Sequence, residues 1–321
     1  MMRFDLRAPG ATPAERAAIH RAAIDMAAFA DEAGGCAAIV ISEHHASDDG
    51  YLPSPLAMAA AMAAVTKTTA ISVAAAILPF YDPVRLAEDL ITLDHISEGR
   101  VMAVLGLGYR PIEYELHGVD YATRGAVADQ KLERLLDVLG DAGRATVQPR
   151  VTPAPYSNPM PLLAWGGRSK AAARRAGRNG ISFFAQADGP GLQEAYETAA
   201  RDHGHEPAMC MLPNADAPQI VFVDDDLDAG WDAVGPSMLT DATSYYEWNE
   251  AAGTVEGTAS LSSATTVAGL REANGAHRVV TPAGAAEIVA EHGILHLHPL
   301  CGGLDPEVAW TYLRRAAAAA S

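Results

Sequence analysis

AISVAAAILPFYDPVRLAEDLITLDHISEGRVMAVLG, residues 70–106, has the pattern of a strand, a helix and a second strand. Its two outer runs are rich in Val, Ile and Ala without strict apolar–polar alternation, which is typical of parallel strands buried on both faces. Between them, Asp82 and Pro83 provide a cap and a first residue for a helix, and Gly99 ends it. The segment therefore predicts one strand–helix–strand unit of a parallel sheet.

The same alternation continues along the whole chain. Strands are predicted near 3–8, 36–42, 70–78, 101–106, 161–165, 181–185, 208–223 (interrupted by Pro213 to Pro218) and 293–298. Helices are predicted near 14–33, 54–66, 83–97, 123–140, 169–179, 190–203, 227–250, 283–291 and 305–320. Eight such units predict an α/β protein that folds as a single (β/α)8 TIM-barrel domain over residues 1–321. The alternative is an open doubly wound sheet, although no Gly-x-Gly-x-x-Gly motif follows the first strand.

One segment departs from this alternation. Residues 251–276 are rich in Gly, Thr and Ser, and they predict a long loop insertion before the last strand. A loop of this length in a compact domain is usually functional or mobile.

Composition and charge exclude several functions. The 321 residues carry a formal net charge of −17 without a cluster of Lys and Arg, so a nucleic-acid interface is not expected. No apolar run approaches the roughly 18–20 residues of a membrane span, and we expect no signal peptide. Cys36, Cys210 and Cys301 are scattered, which predicts neither a disulfide framework nor a zinc site. We therefore expect a cytoplasmic protein without a membrane or nucleic-acid partner.

Candidate catalytic residues follow the second predicted strand. In a barrel of this type the active site lies at the carboxyl ends of the strands, and strand two ends in Glu43-His44-His45. Neighbouring residues on a strand point to opposite sides, so only one imidazole is expected to face the site. Two hydrogen-bonded structural histidines are the alternative interpretation.

The third predicted strand contains a run of small residues, Ala74-Ala75-Ala76. Alanine is a poor strand former, but its small size allows a planar ring to lie almost against the backbone. Tight packing in the barrel interior explains the same run equally well, so both interpretations stay open here.

A candidate phosphate site opens the helix after strand five. Gly166-Gly167-Arg168-Ser169 brings free backbone N–H groups, a guanidinium and a hydroxyl to a helix N-terminus, which suits an anion. An ordinary strand–helix turn is the alternative. Arg124 lies in the first turn of another helix, where a cation opposes the helix dipole, so either an anionic partner or solvent is expected beside it.

A candidate metal site lies in the last predicted strand. His296 and His298 share one face of that strand, which is a spacing found in metal sites. No carboxylate cluster joins them nearby, so a packed or hydrogen-bonded pair is the alternative. The pair leaves a metal-dependent barrel hydrolase open as a rival function.

Several segments resemble the bacterial luciferase-like family of flavin-dependent monooxygenases and oxidoreductases. The resemblance is densest in SEHH (42–45), AAAILPFYDPVRLAEDLITLDHISEGR (74–100) and GLGYRPIEYELHGVD (106–120), and it continues more loosely through WGGRSKAAARRAGRNG (165–180). It implies a (β/α)8 barrel that is usually dimeric. It also implies FMN, or in a branch of the family the deazaflavin coenzyme F420, bound at the carboxyl ends of the strands.

The resemblance also implies roles for individual residues. It assigns catalysis to His44 and Glu113, and the substrate side to His45 and Tyr109. The implied cofactor contacts are Ala74 and Ala75, which form a bulge with a cis peptide, and Ala76, Leu107, Gly108, Arg124, Trp165, Gly166, Gly167, Arg168 and Ser169. Luciferase itself has an arginine on the phosphate where this chain has Leu107, so light emission is not implied.

The resulting expectation is a monooxygenase that uses reduced FMN and O2 on a small organic substrate, with a separate flavin reductase as possible partner. The alternatives are an F420-dependent dehydrogenase or reductase, the metal-dependent hydrolase, and a flavin-binding paralogue without activity. A homodimer is expected through the helix at 56–66, because its Ala and Met faces permit close helix approach.

Overall fold

The computed structural model describes residues 1–140, 151–187, 189–214, 216–255 and 261–319. The strands within these ranges are β1 (Met2–Phe4), β2 (Ala38–Ile41), β3 (Ala70–Ile77), β4 (Val101–Gly106), β5 (Leu162–Gly167), β6 (Ser182–Ala185), β7 (Cys210–Met211), β8 (Ile220–Val223) and β9 (His277–Val280). The helices are α1 (Pro13–Ala33), α2 (Pro55–Val65), α3 (Pro83–Ser97), α4 (Pro111–Leu116), α5 (Arg124–Leu139), α6 (Lys170–Arg178), α7 (Leu192–Asp202), α8 (Leu227–Ala251), α9 (Val267–Ala273), α10 (Pro282–His292) and α11 (Pro306–Ala319).

The strands confirm the α/β class but not a complete eight-stranded barrel. Strand β1 neighbours β2, β3 to β7 follow one another in chain order in a sheet, and β8 pairs in parallel with β9. The strand predicted at 293–298 is reduced to an isolated bridge between Leu297 and Met2. Within the described residues, no helix is both long and apolar enough to cross a membrane.

The segment predicted as a long loop, 251–276, is partly helical. Thr266 accepts a hydrogen bond from the backbone N–H of Gly269 through its side chain and so caps α9. The next residues form β9, which was not expected from the pattern because it has only four residues. Residues 256–260 of the predicted loop lie outside the described residues, as does the end of the helix predicted at 305–320.

One compact unit comprises Ile41–Ala46 and Ser54–Pro213. Its strands β3 to β7 pair in parallel, each with the next along the chain. Helices α6 and α7 cross at Gly177, where an added Cβ would lie 2.3 Å from the carbonyl oxygen of Tyr196. Only glycine allows this approach, which brings α6 and the turn before it against the sheet.

The other compact unit comprises Met1–Val40, Ser47–Pro53 and Asn214–Ser321. Part of its core is an apolar cluster between β8, α10 and α11, formed by Val221, Val223, Ala285, Ile288, Leu295 and Ala316. Burial of these aliphatic side chains is favourable by roughly 25 cal/mol per Å² of apolar surface removed from water. The same unit contains the histidines considered above as metal ligands.

The N-terminus of α1 allows a stability prediction. Thr12 and Glu15 form a capping box, in which each side chain accepts a hydrogen bond from the other residue's backbone N–H. Thr12→Ala should therefore lower the free energy of unfolding by about 1 kcal/mol. Urea unfolding measures the loss, and Thr311→Ala on the exposed face of α11 is the matched control. An equal loss in both variants would show that the capping box adds nothing.

Candidate active site

Two carboxylate–imidazole pairs lie at the end of β2. Nδ1 of His44 is 2.7 Å from Oε1 of Glu113, and Nε2 of His45 is 2.7 Å from Oε1 of Glu43. The two adjacent rings therefore bond to different carboxylates. The backbone N–H of His45 also donates to Oε1 of Glu113 at 3.0 Å, so the second pair is tied to the first.

Glu113 lies in the first turn of α4 and is completely buried. Burial alone would raise the pKa of its carboxyl, but the hydrogen bond and charge of His44, the N–H of His45 and the guanidinium of Arg110 together lower the pKa below its ordinary value. Arg110 reaches the same oxygen at 3.2 Å and also donates to the carbonyl of His45 at 2.7 Å. Oε2 of Glu113 is buried without a hydrogen-bond partner among the described residues. The carboxylate is thus ionised and oriented, with one oxygen unsatisfied.

The pKa of Glu113 leads to a pH prediction. Because its folded pKa lies below the ordinary 4.5, the ionised group stabilises the fold above that pH, and this contribution is lost as the pH falls through the folded pKa. Glu113→Gln should therefore weaken the decline in unfolding free energy between about pH 6 and about pH 3. Urea unfolding at several pH values gives both slopes, with Glu115→Gln on the exposed face of the same helix as control. Parallel slopes for wild type and Glu113→Gln would contradict this assignment.

The His44 ring has a defined orientation. Since a carboxylate oxygen only accepts, Nδ1 of His44 donates to Glu113 and Nε2 becomes the nitrogen that can accept a proton. The hydroxyl of Tyr109 is 3.5 Å from Nε2, and the two rings meet edge to face with centroids 5.4 Å apart. The predicted catalytic and substrate residues of this segment thus come together in the same compact unit.

The alanine run forms the irregularity that the resemblance implies. Pairing of β3 with β4 shifts between Ala74 and Ala76, and the Ala74–Ala75 peptide is cis, which confirms that expectation. Ala74 and Ala75 are half-buried, whereas Ala76 has no exposed surface, so its side chain packs in the core. Beside Ala75, an added Cβ at Gly106 or Gly166 would lie 3.1 or 3.8 Å from its methyl group. The local surface therefore consists of methyl groups and bare backbone.

The end of β4 adds a tight turn. Gly108 has a φ of +69°, and an added Cβ there would lie 3.0 Å from Cγ2 of Ile77. The carbonyl oxygen of Leu107 accepts a hydrogen bond from the hydroxyl of Tyr114. Leu107 itself is half-buried. The side chain at this position can offer apolar contact but no charge.

The predicted phosphate turn begins helix α6. Oγ of Ser169 accepts from the backbone N–H of Ala172 at 3.2 Å, so this hydroxyl already caps the helix. Gly167 must remain glycine, since an added Cβ would lie 2.5 Å from the methyl group of Ala172. Arg168 is half-buried beside it. The N–H groups of this turn, more than the serine hydroxyl, are the donors that an anion could use.

Arg124 starts helix α5, close to α6. Its guanidinium lies 3.8 Å from the ring centroid of Tyr121 and donates to the carbonyl of that residue at 2.7 Å. Arg175 of α6 reaches back to the carbonyl of Gly125 at 3.3 Å and to Oδ1 of Asp129 at 2.6 Å. Arg175 thus ties the start of α5 to the helix that follows the predicted phosphate turn.

Trp165 lies at the end of β5, just before that turn. Its ring is completely buried, and Nε1 has no hydrogen-bond partner in the part of the chain that the structure describes. The guanidinium of Arg175 lies 4.9 Å from the ring centroid. The sequence pattern does not point to Arg175 or to Arg110. Arg175 is recognisable only once it meets Asp129, 46 residues away along the chain, and Arg110 only once it reaches the carbonyl of His45.

The predicted metal pair does not come together as a ligand set in the described chain. His298 lies with Asp241 and Cys301, the one group of three metal-binding side chains found among the described residues, and His296 is not part of it. The guanidinium of Arg3 lies 3.3 Å from Nδ1 of His298 and 3.0 Å from Oδ1 of Asp241. The Arg3 cation already contacts two members of this group, Asp241 and His298, which argues against a divalent metal ion there.

Comparison with known proteins places the chain in a family. The family model described as luciferase-like monooxygenase matches residues 2–292. The oxygenase component of the flavin-dependent trigonelline monooxygenase of Acinetobacter baylyi is 27% identical over 171 residues, which is 50% of this chain and 46% of that protein. The chain spans about half the length of the curated relatives it matches.

Solved structures show the same fold. The monooxygenase RslO1 of Streptomyces bottropensis has a TM-score of 0.72 at 21% identity, covering 99% of this chain and 97% of that one. The oxygenating constituent of 3,6-diketocamphane monooxygenase of Pseudomonas putida, in complex with FMN, has a TM-score of 0.69 at 20% identity, covering 98% of this chain and 94% of that one. An F420-dependent secondary alcohol dehydrogenase has a TM-score of 0.57 at 17% identity, covering 90% of this chain and 94% of that one. The family match over residues 2–292 shows that the chain belongs to the luciferase-like monooxygenase family.

Proposed function

We propose that this chain is the oxygenase of a two-component flavin monooxygenase, which uses reduced FMN and O2 on a small organic substrate. The observation that carries the proposal is the buried Glu113–His44 pair, which leaves Nε2 of His44 able to exchange a proton. The relative from Acinetobacter baylyi, named as an oxygenase component, supports a separate flavin reductase as the source of reduced flavin.

The residues of this unit fit FMN. In our proposal a flat ring lies against the methyl group of Ala75, next to which Gly106 and Gly166 carry no side chain. Two buried polar atoms have no hydrogen-bond partner among the described residues. Oε2 of Glu113 is an acceptor, and Nε1 of Trp165 is a donor. In our proposal Ala74, Ala75, Leu107, Gly108 and Trp165 hold the ring, and the phosphate is held by Gly166, Gly167, Arg168, Ser169 and Arg124.

Reduced flavin, when bound, supplies the electrons that activate O2. The chain's own contribution is proton control at Nε2 of His44, which Glu113 orients through Nδ1. Tyr109, 3.5 Å from Nε2, is placed to contact the substrate on the same side. Positioned acid–base help of this kind typically accelerates a step by about 10²–10⁴-fold.

Equilibrium binding tests the cofactor. Apo protein is titrated with reduced FMN and with reduced F420 under anaerobic conditions, and substrate-dependent O2 consumption is then measured with a general flavin reductase. We expect tight binding of reduced FMN and O2 consumption above the uncoupled background. Binding of F420 alone would favour the dehydrogenase alternative, which the F420-dependent structural neighbour makes worth testing. FMN binding without coupled O2 consumption would identify an inactive paralogue.

Arg124→Ala tests the proposed phosphate site. Loss of one charge-assisted hydrogen bond costs about 1.5–3 kcal/mol, so affinity for reduced FMN should fall about tenfold to a hundredfold. Arg85→Ala is the matched control, because Arg85 pairs only with neighbours on an exposed face of α3. Unchanged affinity in Arg124→Ala would place the phosphate elsewhere.

We also propose a homodimer through α2. One face of this helix packs inward through Met58, Ala59, Met62 and Ala63. The opposite face remains apolar although partly or fully exposed, with Leu56, Ala57, Ala60, Ala61, Ala64 and Val65. Small side chains permit close approach of a second helix. Light scattering at micromolar concentration should give twice the chain mass, and a monomer would exclude the interface.

A further inference from the structure

Glu43 has a hydrogen-bond arrangement that the proposed function does not use. Its side chain is buried, and it accepts three hydrogen bonds from two different segments. Oε2 accepts from the backbone N–H of Ile77 at 3.0 Å and from the hydroxyl of Tyr81 at 2.9 Å. Oε1 faces Nε2 of His45 at 2.7 Å. One carboxylate thus joins the end of β2 to the end of β3.

The chemistry of the three partners of Glu43 determines which atom of each hydrogen bond carries the proton. The N–H of Ile77 can only donate. Burial and the neighbouring Glu43 carboxylate raise the pKa of Tyr81 well above its usual range, so its hydroxyl stays protonated and donates as well. Both donors use Oε2, and Oε1 accepts a hydrogen bond from the N–H at Nε2 of His45. His45 therefore holds its proton on Nε2, and Nδ1 is the ring nitrogen able to accept.

The surroundings of His45 hold the ring in this orientation. The ring meets His117 edge to face with centroids 4.6 Å apart and Phe80 at 5.5 Å. His117 and Phe80 are themselves stacked at 4.2 Å with only 6° between their planes. Rotation of the imidazole would disturb this stack and break the bond to Glu43. The ring is thus positioned by packing as well as by hydrogen bonding.

The position of Ile77 extends the effect to β3. Ile77 follows directly after the irregular alanine run, and its side chain lies within contact distance of the turn at Gly108. The bond from its N–H to Glu43 therefore anchors the strand at the point where the small-residue surface ends. A substitution at Glu43 therefore affects both the imidazole of His45 and the small-residue surface of β3.

We propose that Glu43 is a positioning residue that sets the tautomer of His45 and anchors β3 beside the proposed flavin ring. The catalytic part of this inference rests on the proposed function. The tautomer part concerns the protein alone. His45 then presents Nδ1 as an acceptor on the substrate side, separate from the proton-exchanging Nε2 of His44.

Glu43→Gln separates the two roles. The two donors at Ile77 and Tyr81 require the oxygen of the new amide, so its NH2 group must face His45 and donate to Nε2. The proton of His45 should then move to Nδ1, while the anchor to β3 persists. Glu43→Ala removes both interactions. Tyr81→Phe removes one donor and leaves the tautomer as in wild type, and Glu115→Gln is the exposed control.

Nitrogen NMR of 15N-histidine-labelled apo protein reports the tautomer directly, with His45→Asn used to assign the signal. We expect protonated Nε2 in wild type, in Tyr81→Phe and in Glu115→Gln, and protonated Nδ1 in Glu43→Gln. A merely structural role would leave the tautomer unchanged in Glu43→Gln, and that result would overturn the proposal. This measurement needs neither flavin nor substrate.

Binding and turnover test the functional consequence. Affinity for reduced FMN should stay within about threefold in Glu43→Gln and fall by tenfold or more in Glu43→Ala. Turnover in Glu43→Gln should fall on the order of tenfold to a hundredfold, as when a partner that orients an imidazole is lost. If wild type itself binds no flavin, the proposed function fails while the tautomer result still stands. Full turnover in Glu43→Gln with a changed tautomer would refute the role of His45 in the reaction.

Discussion

Replacing His44 with alanine should lower the rate of substrate-coupled oxidation by about 10²–10⁴-fold, the range typical of a lost acid–base group. Nδ1 of this ring is held by Glu113, and Nε2 is the atom left to exchange a proton. The proposed flavin contacts lie on other segments, so affinity for reduced FMN should stay within a few-fold. Stopped-flow oxidation of the reduced complex, with and without substrate, separates the binding and chemical steps.

His45→Ala is the comparison that makes this result informative. Its ring is bonded to buried Glu43, so its loss leaves a buried carboxylate without one of its donors. We expect a smaller effect on turnover than in His44→Ala and a larger loss of unfolding free energy. The assignment of His44 fails if the two variants behave the other way round.

The sequence could identify the members of this site but not their connections. His44 and Glu113 are 69 residues apart, and no periodicity in either segment predicts that they meet. The resemblance to the luciferase-like family implies a catalytic role for each of the two residues, but it does not predict that they bond to each other. Partners that contribute backbone atoms, such as the N–H of Ile77, leave no trace in side-chain identity.

The last strands of the fold were likewise not predictable from the sequence pattern. The pattern at 70–106 contains a cap, an apolar helix face and two apolar strands, and the structure follows it closely. Strand β9 has four residues, too few for a period to be recognised, and it is stabilised by pairing with β8 instead. The predicted strand at 293–298 is only partly formed although neighbouring backbone is present: Leu297 bridges to Met2, and the carbonyl oxygen of His296 accepts from the N–H of Val221.

Alternating charges in the first predicted strand indicate buried ion pairs, which composition alone does not reveal. Arg3, Asp5 and Arg7 are two residues apart in a stretch that is otherwise apolar. Asp5 and Arg7 are completely buried, and buried charges require partners. Asp241, the partner of Arg3, lies 238 residues away along the chain. No local sequence pattern is informative over that distance.

Asp241→Ala should therefore destabilise the protein strongly, by about 3–5 kcal/mol, the cost typical of breaking a buried ion pair. Oδ1 of Asp241 is 3.0 Å from Arg3, and Oδ2 is 3.1 Å from Nε2 of His277, whose side chain is fully buried. Burial would raise the pKa of Asp241, but Arg3, His277 and His298 outweigh it and hold the pKa far below its usual range. The carboxylate is thus ionised, and its removal takes away the carboxylate nearest to Arg3, leaving Asp5 at 3.7 Å.

Urea unfolding at pH 7 measures the loss, and Asp228→Ala is the matched control on the same helix. Asp228 pairs with Arg271 at 2.7 Å, but its side chain is 81% exposed, so that variant should show no measurable change. A small loss in Asp241→Ala would mean that the cluster relaxes around the missing charge. A chelator that lowered the unfolding midpoint of wild type but not of Asp241→Ala would instead reveal a metal held with His298 and Cys301. Because the Arg3 guanidinium already lies between Asp241 and His298, we expect the chelator to change neither protein.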